Sequence, residues 1–346
     1  IQPICFENAC WAYTVGAAIA IKKGCRRAAD AAAANDPAVE LIFTSVSVSG
    51  DSHTEAMYEF ADKVEELSGG SVTCKCYDNG SLFSSENEFD ALLNGDADLA
   101  YISFPTIATQ IPSYSMFASG YLFSSYEHMT SVLNGDIGLN KIRPQIEETL
   151  NIKPLSSFYL GSRVINTREK EINSYDDMNG LLLRMPNSEA WLFLGEALGA
   201  NPTPLSFSEL YTALQTGAVD AQDNPLPSIE SAKFYEVTKY IAITNHVVDS
   251  IMPCINGDTW NSMTEAQQEA VTEAMEYARD VNDTARLDRE AELIKFFEEQ
   301  GLTYANYRVE LTAVLLNGNN SVVNGTTSSD YVVYTNAKIE TGFINS

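Results

Sequence analysis

Residues 89–98, FDALLNGDAD, and residues 211–220, YTALQTGAVD, match position by position at an aromatic residue, an Ala-Leu pair, a glycine and an aspartate. Each copy reads as a helix ended by a glycine one step past its last turn, where left-handed backbone suits a residue without Cβ. Each runs directly into a short strand, residues 99–103 in the first and 221–224 in the second. Helix–glycine–strand is a common unit, so coincidence is the alternative; read as an internal repeat, the echo divides the chain into two lobes of similar construction. In open α/β sheets ligands bind beyond the carboxyl ends of the strands. The residues just past each copy are therefore expected to face a common cleft.

The flanking segments extend the pattern. AVELIFTSVS (38–47) reads as a strand, and Ser52 and Glu55 have the spacing of a capping box. The helix they open carries Met57, Phe60, Val64 and Leu67 on one face and stops at Gly69 and Gly70. Residues 71–77 give another strand and 85–94 another helix. From Thr264 to about Gln300 no proline interrupts a broken apolar stripe that includes Val271, Met275, Ala278 and Phe297. Such a helix is on the order of 55 Å long, more than a small domain is wide, and is expected to cross both lobes.

A length of 346 residues allows about two domains of ordinary size. The balance of 21 Lys and Arg against 47 Asp and Glu, a net charge of −26, argues against nucleic acid or an anionic membrane surface as partner. It leaves an anionic small ligand open, because exposed charges fade over about 8–10 Å at moderate salt and enclosed arginines decide locally. The six cysteines (Cys5, Cys10, Cys25, Cys74, Cys76 and Cys254) contain no CxxC pair. Cys74 and Cys76 share one face of a strand, a poor geometry for a bond between them, so neither a zinc site nor a disulfide framework is indicated. The run Trp11 to Ile21 is about half a bilayer span, and its positive charges (Lys22, Lys23, Arg26, Arg27) follow rather than precede it. It reads as a short amphipathic helix or a misassigned leader.

Candidate binding groups fall at strand ends. In GLLLRMPNSEAW (180–191) Arg184 closes an apolar strand and Asn187 or Ser188 can cap the next helix. A guanidinium beside a helix N-terminus suits a carboxylate bound bidentately; the competing reading is an arginine paired with a neighbouring Asp. Arg163, in YLGSRVIN (159–166), invites the same two readings. Asn224 precedes Pro225, which stops its strand and leaves the amide near the expected cleft, or serves only a turn. His53 and His128 read as solvated at helix starts, and His246 as either a hinge residue or a satisfied polar group. No HExxH, GxSxG, phosphate-binding glycine loop or Cys–His signature is present, so neither catalysis, a metal nor a cofactor is expected.

PLSFSELYTALQTGAVDAQDNP (204–225), DMNGLLLRM (177–185), TNH (244–246) and the stretch from Gly80 to Leu99 together resemble the substrate-binding proteins of TRAP (tripartite ATP-independent periplasmic) transporters. The resemblance covers about residues 38–304. It implies an α/β, two-lobed fold of the periplasmic-binding-protein kind, with crossing strands and a long helix spanning both lobes. It also implies that Arg184 anchors a ligand carboxylate, assisted by Arg163 and Asn224, with Phe207 packing in the cleft. Asn187 and His246 would form a polar contact beside the arginine, and Ser49 and Ser103 would face the ligand from the opposite lobe.

On this reading lobe I comprises residues 38–160 plus about 250–285, and lobe II residues 161–249 plus about 286–304. Residues 1–37 are an atypical N-terminal extension. Residues 305–346 form a β-rich segment, with an alternating run from Tyr307, turn signals at Asn317-Gly318 and Asn324-Gly325, and a strand from Asp330. The expected function is capture of a small organic acid by a monomer in the periplasm, or at the outer face of the membrane, for delivery to the transporter's membrane subunits. The rival is an extracellular sensor or adhesion module reusing the same lobes.

Overall fold

The computed structural model describes residues 36–316, 322–323 and 332–341. Cys5, Cys10, Cys25, the run Trp11 to Ile21 and the turns expected at Asn317 and Asn324 lie outside the described residues. Helices α1 (Ser52–Leu67), α2 (Glu88–Asn94), α3 (Phe104–Ile107), α4 (Tyr126–Leu133) and α5 (Arg143–Leu150) belong to the first part of the chain. They are followed by α6 (Glu189–Ala197), α7 (Phe207–Thr216), α8 (Leu226–Ser231), α9 (Gly257–Ser262) and α10 (Glu265–Glu299).

The strands β1 (Val39–Thr44), β2 (Val72–Tyr77), β3 (Leu99–Ile102), β4 (Ile152–Pro154), β5 (Phe158–Thr167), β6 (Leu182–Met185), β7 (Asn201–Pro204), β8 (Ala221–Pro225) and β9 (Tyr240–Asn256) build one mixed sheet. Its order is β2-β1-β3-β9-β5-β8-β6-β7, with β4 paired to β9. The outer strands are parallel, β1 to β2 and β3 on one side and β6 to β7 and β8 on the other. β5 and β9 run antiparallel through the middle, and the 17-residue β9 serves both halves: Tyr240 to Ile251 face β5, and Met252 to Ile255 face β3. A last strand, β10 (Thr303–Leu316), adds parallel to the start of β9 and continues into an antiparallel pairing with β11 (Val322–Val323) and β12 (Val332–Thr341).

The sequence echo is one local device built twice. Gly95 and Gly217 cap α2 and α7 with φ of 78° and 80°. Past each cap an aspartate clamps the start of a neighbouring strand. The Asp98 carboxylate accepts from the Ile42 amide at 2.8 Å while its own N–H donates to the Ile42 carbonyl at 3.0 Å. Asp220 repeats both bonds to Leu182, at 3.0 and 2.9 Å.

Packing follows the same division. Leu41, Phe43, Met57, Phe60 and Val64 pack with Val271, Met275 and Ala278 of α10. On the other side Leu210, Leu214, Ile229 and Phe234 pack with Leu293 and Phe297 of the same helix. Helix α10 therefore contributes to the cores of both lobes, as its length of 35 residues permits. Thr264 and Gln267 form its capping box. Gly161 sits at a register shift in β5 with φ of 121°, where a Cβ would come within 2.5 Å of Pro225 Cβ and 2.8 Å of Glu290 Oε1. Only glycine lets the crossing strand pass this close. Among the described residues no helix is long and apolar enough to cross a membrane.

Two expectations at the start of α1 are corrected. The cap is Asp51, whose Oδ1 accepts from the His53 amide at 2.9 Å, whereas the Ser52 hydroxyl donates to Asn282 on α10 at 2.9 Å. His53 is fully buried rather than solvated, because α10 lies over it. Arg286 of α10, only 1% exposed, donates to His53 Nδ1 (2.7 and 3.1 Å), to Asp51 Oδ1 (2.6 Å), to the Leu160 carbonyl (2.9 Å) and to Ser228 Oγ (3.3 Å). Asp51 also accepts from Ser231 Oγ at 2.9 Å. One guanidinium thus joins the cap of α1, the crossing strand β5 and α8. Since it can only donate, Nδ1 is the acceptor in the Arg286–His53 contact, with Asp51 Oδ1 3.2 Å from the same nitrogen.

Burial and the neighbouring Arg286 charge lower the His53 pKa to about 4 from its ordinary value of 6.5. Burial alone would raise Asp51, yet Arg286 and His53 hold it well below the usual carboxylate range. Both groups therefore bind protons less readily when folded. The His53 contribution to stability is complete above pH 6.5 and is lost as pH falls toward about 4, with that of Asp51 disappearing at still lower pH. Between pH 7.5 and 5, His53 should cost on the order of 2 kcal/mol of stability. Urea unfolding at the two pH values, compared with a His53→Gln variant, isolates this term; equal pH slopes for the two proteins would contradict it.

Candidate ligand-binding cleft

The strand ends converge on a cavity of about 310 Å³. From lobe I, β3 ends at Ile102 and delivers Ser103, which caps α3 and shares a 2.9 Å hydrogen bond with Thr106 Oγ1. From lobe II, β6 delivers Arg184 and β8 delivers Asn224. Pro186 turns the chain after β6, and Ser188 caps α6 by accepting from the Trp191 amide. Ser103, Arg163, Arg184, Asn187, Phe207 and Asn224 all line the cavity.

The two arginines differ in the charges around them. Arg163, in β5, is flanked by β8 and β9, which place Asp223 and Asp249 beside it. Its Nε donates to Asp223 Oδ1, its Nη1 to Asp249 Oδ2 at 2.9 Å, and its Nη2 to the Asp223 carbonyl at 2.7 Å and Asn224 Oδ1 at 3.3 Å. Its guanidinium carbon stands 4.5 Å from the centroid of the Trp191 ring. Burial would lower its pKa, but the two carboxylates outweigh burial and raise it. The charge of Arg163 is matched within the protein.

Arg184 is 3% exposed, donates through Nε to the Leu205 carbonyl at 2.8 Å, and has no carboxylate partner among the described residues. Burial, and then the nearby Arg163 charge, press its pKa down to about 10, with Asp223 and Glu86 offsetting part of the effect. It stays cationic at neutral pH, with the two terminal nitrogens of its fork unbonded by any described residue. Such a buried charge favours an anion brought in from outside.

Three expectations are corrected by placement. Ser49 lies outside the cavity because its hydroxyl donates to Asp78 Oδ2 at 3.0 Å on the exposed surface; Ser47 and Val48 line the wall instead. His246 is fully buried inside β9, with Nε2 2.7 Å from Asp223 Oδ2 and Nδ1 2.7 Å from the Thr244 hydroxyl. Its ring is held by Thr244 and Asp223 and not by Asn187, and Asp223 in turn bonds Arg163 at the cleft. Asn224 is less free than its strand-end position implies, since its Oδ1 accepts from Arg163 and its Nδ2 donates to Gln222 Oε1 at 2.7 Å. Phe207 meets Phe234 edge-on at 5.6 Å and closes part of the wall.

Sequence reasoning missed Trp191, Asp51, Arg286 and Glu88, which also line the cavity. Trp191 carried a local signal, one helical turn beyond the cap at Ser188, whereas Arg286 lies 235 positions from Asp51 and nothing local joins them. Among the described residues no group of three or more His, Cys, Asp or Glu side chains is arranged to hold a metal ion.

The family model for bacterial extracellular solute-binding protein, family 7, matches residues 43–325. A second model, for the GGGtGRT protein, matches residues 1–54. The sialic acid-binding periplasmic protein SiaP of Vibrio cholerae is 33% identical over 242 residues, 70% of this chain and 75% of that protein. A TRAP periplasmic solute-binding protein from Roseobacter denitrificans, solved with bound 3-deoxy-D-manno-oct-2-ulosonic acid, superposes with a TM-score of 0.74 at 38% identity, covering 78% of this chain and 88% of that one. The sugar acid-binding protein DctPAm from Advenella mimigardefordensis, in complex with galactonate, gives 0.75 at 28% identity over 78% and 87%. With the two lobes, the crossing strands and the spanning helix in place, the chain belongs to the bacterial extracellular solute-binding proteins of family 7, the substrate-binding proteins of TRAP transporters.

Proposed function

We propose that this chain captures a small organic acid between its lobes as a monomer, holds it chemically unaltered, and delivers it in the periplasm to the membrane subunits of a TRAP transporter. The observation behind this reading is Arg184, a buried cation with a forked donor facing the cavity and no carboxylate of its own among the described residues. A ligand carboxylate accepting both terminal N–H groups supplies the missing charge. Asn224, Asn187 and Ser103 offer polar groups around it, and Phe207 and Trp191 cover apolar parts of the ligand. Arg163 positions Asn224 rather than binding the anion. Lobe I is assigned residues 38–160 with about 250–285, and lobe II residues 161–249 with about 286–304, so that β5, β9 and α10 are the connections that bend on closure.

Thermal unfolding against a panel of organic acids tests the reading. A ligand that binds only the folded protein adds about 2.7 kcal/mol of stability at 100 times its dissociation constant, so a cognate acid should raise the melting temperature in a concentration-dependent way. It should also be recovered unchanged after prolonged incubation. A panel of mono- and dicarboxylic acids that leaves melting unmoved would overturn the proposal.

A further inference from the structure

The cavity wall contains a carboxyl group with one oxygen that no described residue satisfies. Glu88, the first residue of α2, lines the cavity, is 5% exposed, and its Oε1 has no hydrogen-bond partner among the described residues. Leaving a buried polar atom unpaired is costly, and native proteins place few of them. The end of β3 and α3 bring further hydroxyls to the cavity: those of Ser103 and Thr106, which bond each other at 2.9 Å, and that of Thr109, which donates to the Thr106 carbonyl at 2.7 Å, with Ser47 beside them. Glu86 and Asp90, both exposed, line the cavity nearby.

We propose that Glu88 is a specificity-determining residue that hydrogen-bonds hydroxyl groups of the ligand, so that the acid selected is a polyhydroxylated monocarboxylate rather than a dicarboxylate. The inference rests on the organic-acid reading, with the ligand carboxylate at Arg184. A hydroxyl both donates and accepts, which matches a neutral carboxyl and a set of serine and threonine hydroxyls. Burial alone pushes the Glu88 pKa well above the usual carboxyl range, which favours that neutral form. A second ligand carboxylate on this wall would be stripped of water without a cation to receive it, beside Glu86 and Asp90. Arg286, the remaining arginine of the cavity, is engaged by Asp51. An alkyl or aromatic tail would leave Glu88 as unsatisfied as it is now. An ammonium group accepts nothing, so it cannot use the Glu88 proton or the hydroxyl donors.

The test is titration calorimetry on the full chain with matched six-carbon probes: a set of aldonates and uronates, hexanoate, adipate and 6-aminohexanoate. The best hydroxylated acid should bind at least about tenfold more tightly than each of the other three, the scale set by one satisfied buried polar group. Glu88→Leu should shrink that preference to less than about threefold by weakening the hydroxylated acid and strengthening hexanoate. Glu88→Gln, which still donates and accepts, should retain most of it. Adipate or 6-aminohexanoate binding as tightly as the best hydroxylated acid would overturn the proposal. So would an equal loss for every probe in Glu88→Leu, which marks a structural role, with the melting temperature of each variant showing whether it is folded. If no carboxylate of any kind binds, the organic-acid reading itself falls, an outcome distinct from binding without discrimination.

Discussion

Replacing Arg184 with methionine is expected to weaken binding of the cognate acid by about 100-fold or more while leaving the ligand-free protein at least as stable as before. Two charge-assisted hydrogen bonds to an enclosed carboxylate contribute about 1.5–3 kcal/mol each, and about 1.4 kcal/mol is a factor of ten in affinity. Stability moves the other way because the protein bears the cost of an uncompensated buried cation, and the substitution removes it at the loss of one bond to the Leu205 carbonyl. Arg184→Lys should fall between, since a point charge keeps the attraction but not the fork. Arg163→Met should instead destabilise the free protein, because it strands Asp223 and Asp249. Calorimetry and ligand-free melting of the three variants check the set; an Arg184→Met protein with undiminished affinity would remove the anchor from the proposed site.

The second large effect is expected far from the anion. Arg286→Met should cost about 3–5 kcal/mol in chemical denaturation, the range for breaking a buried ion pair by removing one partner. The substitution leaves Asp51 charged and buried, frees the Leu160 carbonyl, and removes the group that ties α10 to α1 and α8. Adding Asp51→Asn should recover part of the loss, because the stranded charge goes while Asn can still cap α1. A single Arg286→Met variant within about 1 kcal/mol of the parent would mean that water or a rearranged Ser231 contact replaces the guanidinium, and the joint would lose the role given to it.

Patterns of one period, one cap or one turn were readable along the chain because their causes are local. The helix at 265–299 follows from its capping box, its apolar stripe and the absence of proline, and the paired caps at Gly95 and Gly217 follow from left-handed backbone that glycine adopts without strain. Ser52 has the spacing of a cap, but its hydroxyl has another partner, Asn282, 230 positions away, and Asp51 caps the helix instead. His53 is equally a matter of tertiary contact: a histidine at a helix start is ordinarily solvated, and the docking of α10 buries this one.

By itself the sequence determined two α/β units, their strand ends and the spanning helix, and it brought Arg163, Arg184 and Asn224 forward as groups at those ends. It could not tell the two arginines apart, since each closes or interrupts an apolar strand in similar company. The tertiary structure decided between them. Strand pairing sets Asp223 and Asp249, 60 and 86 positions away, against Arg163, and sets no carboxylate against Arg184 among the described residues. Whether a buried charge is already neutralised depends on which distant carboxylates the sheet order brings within a few ångströms, and spacing along the chain does not encode that distance.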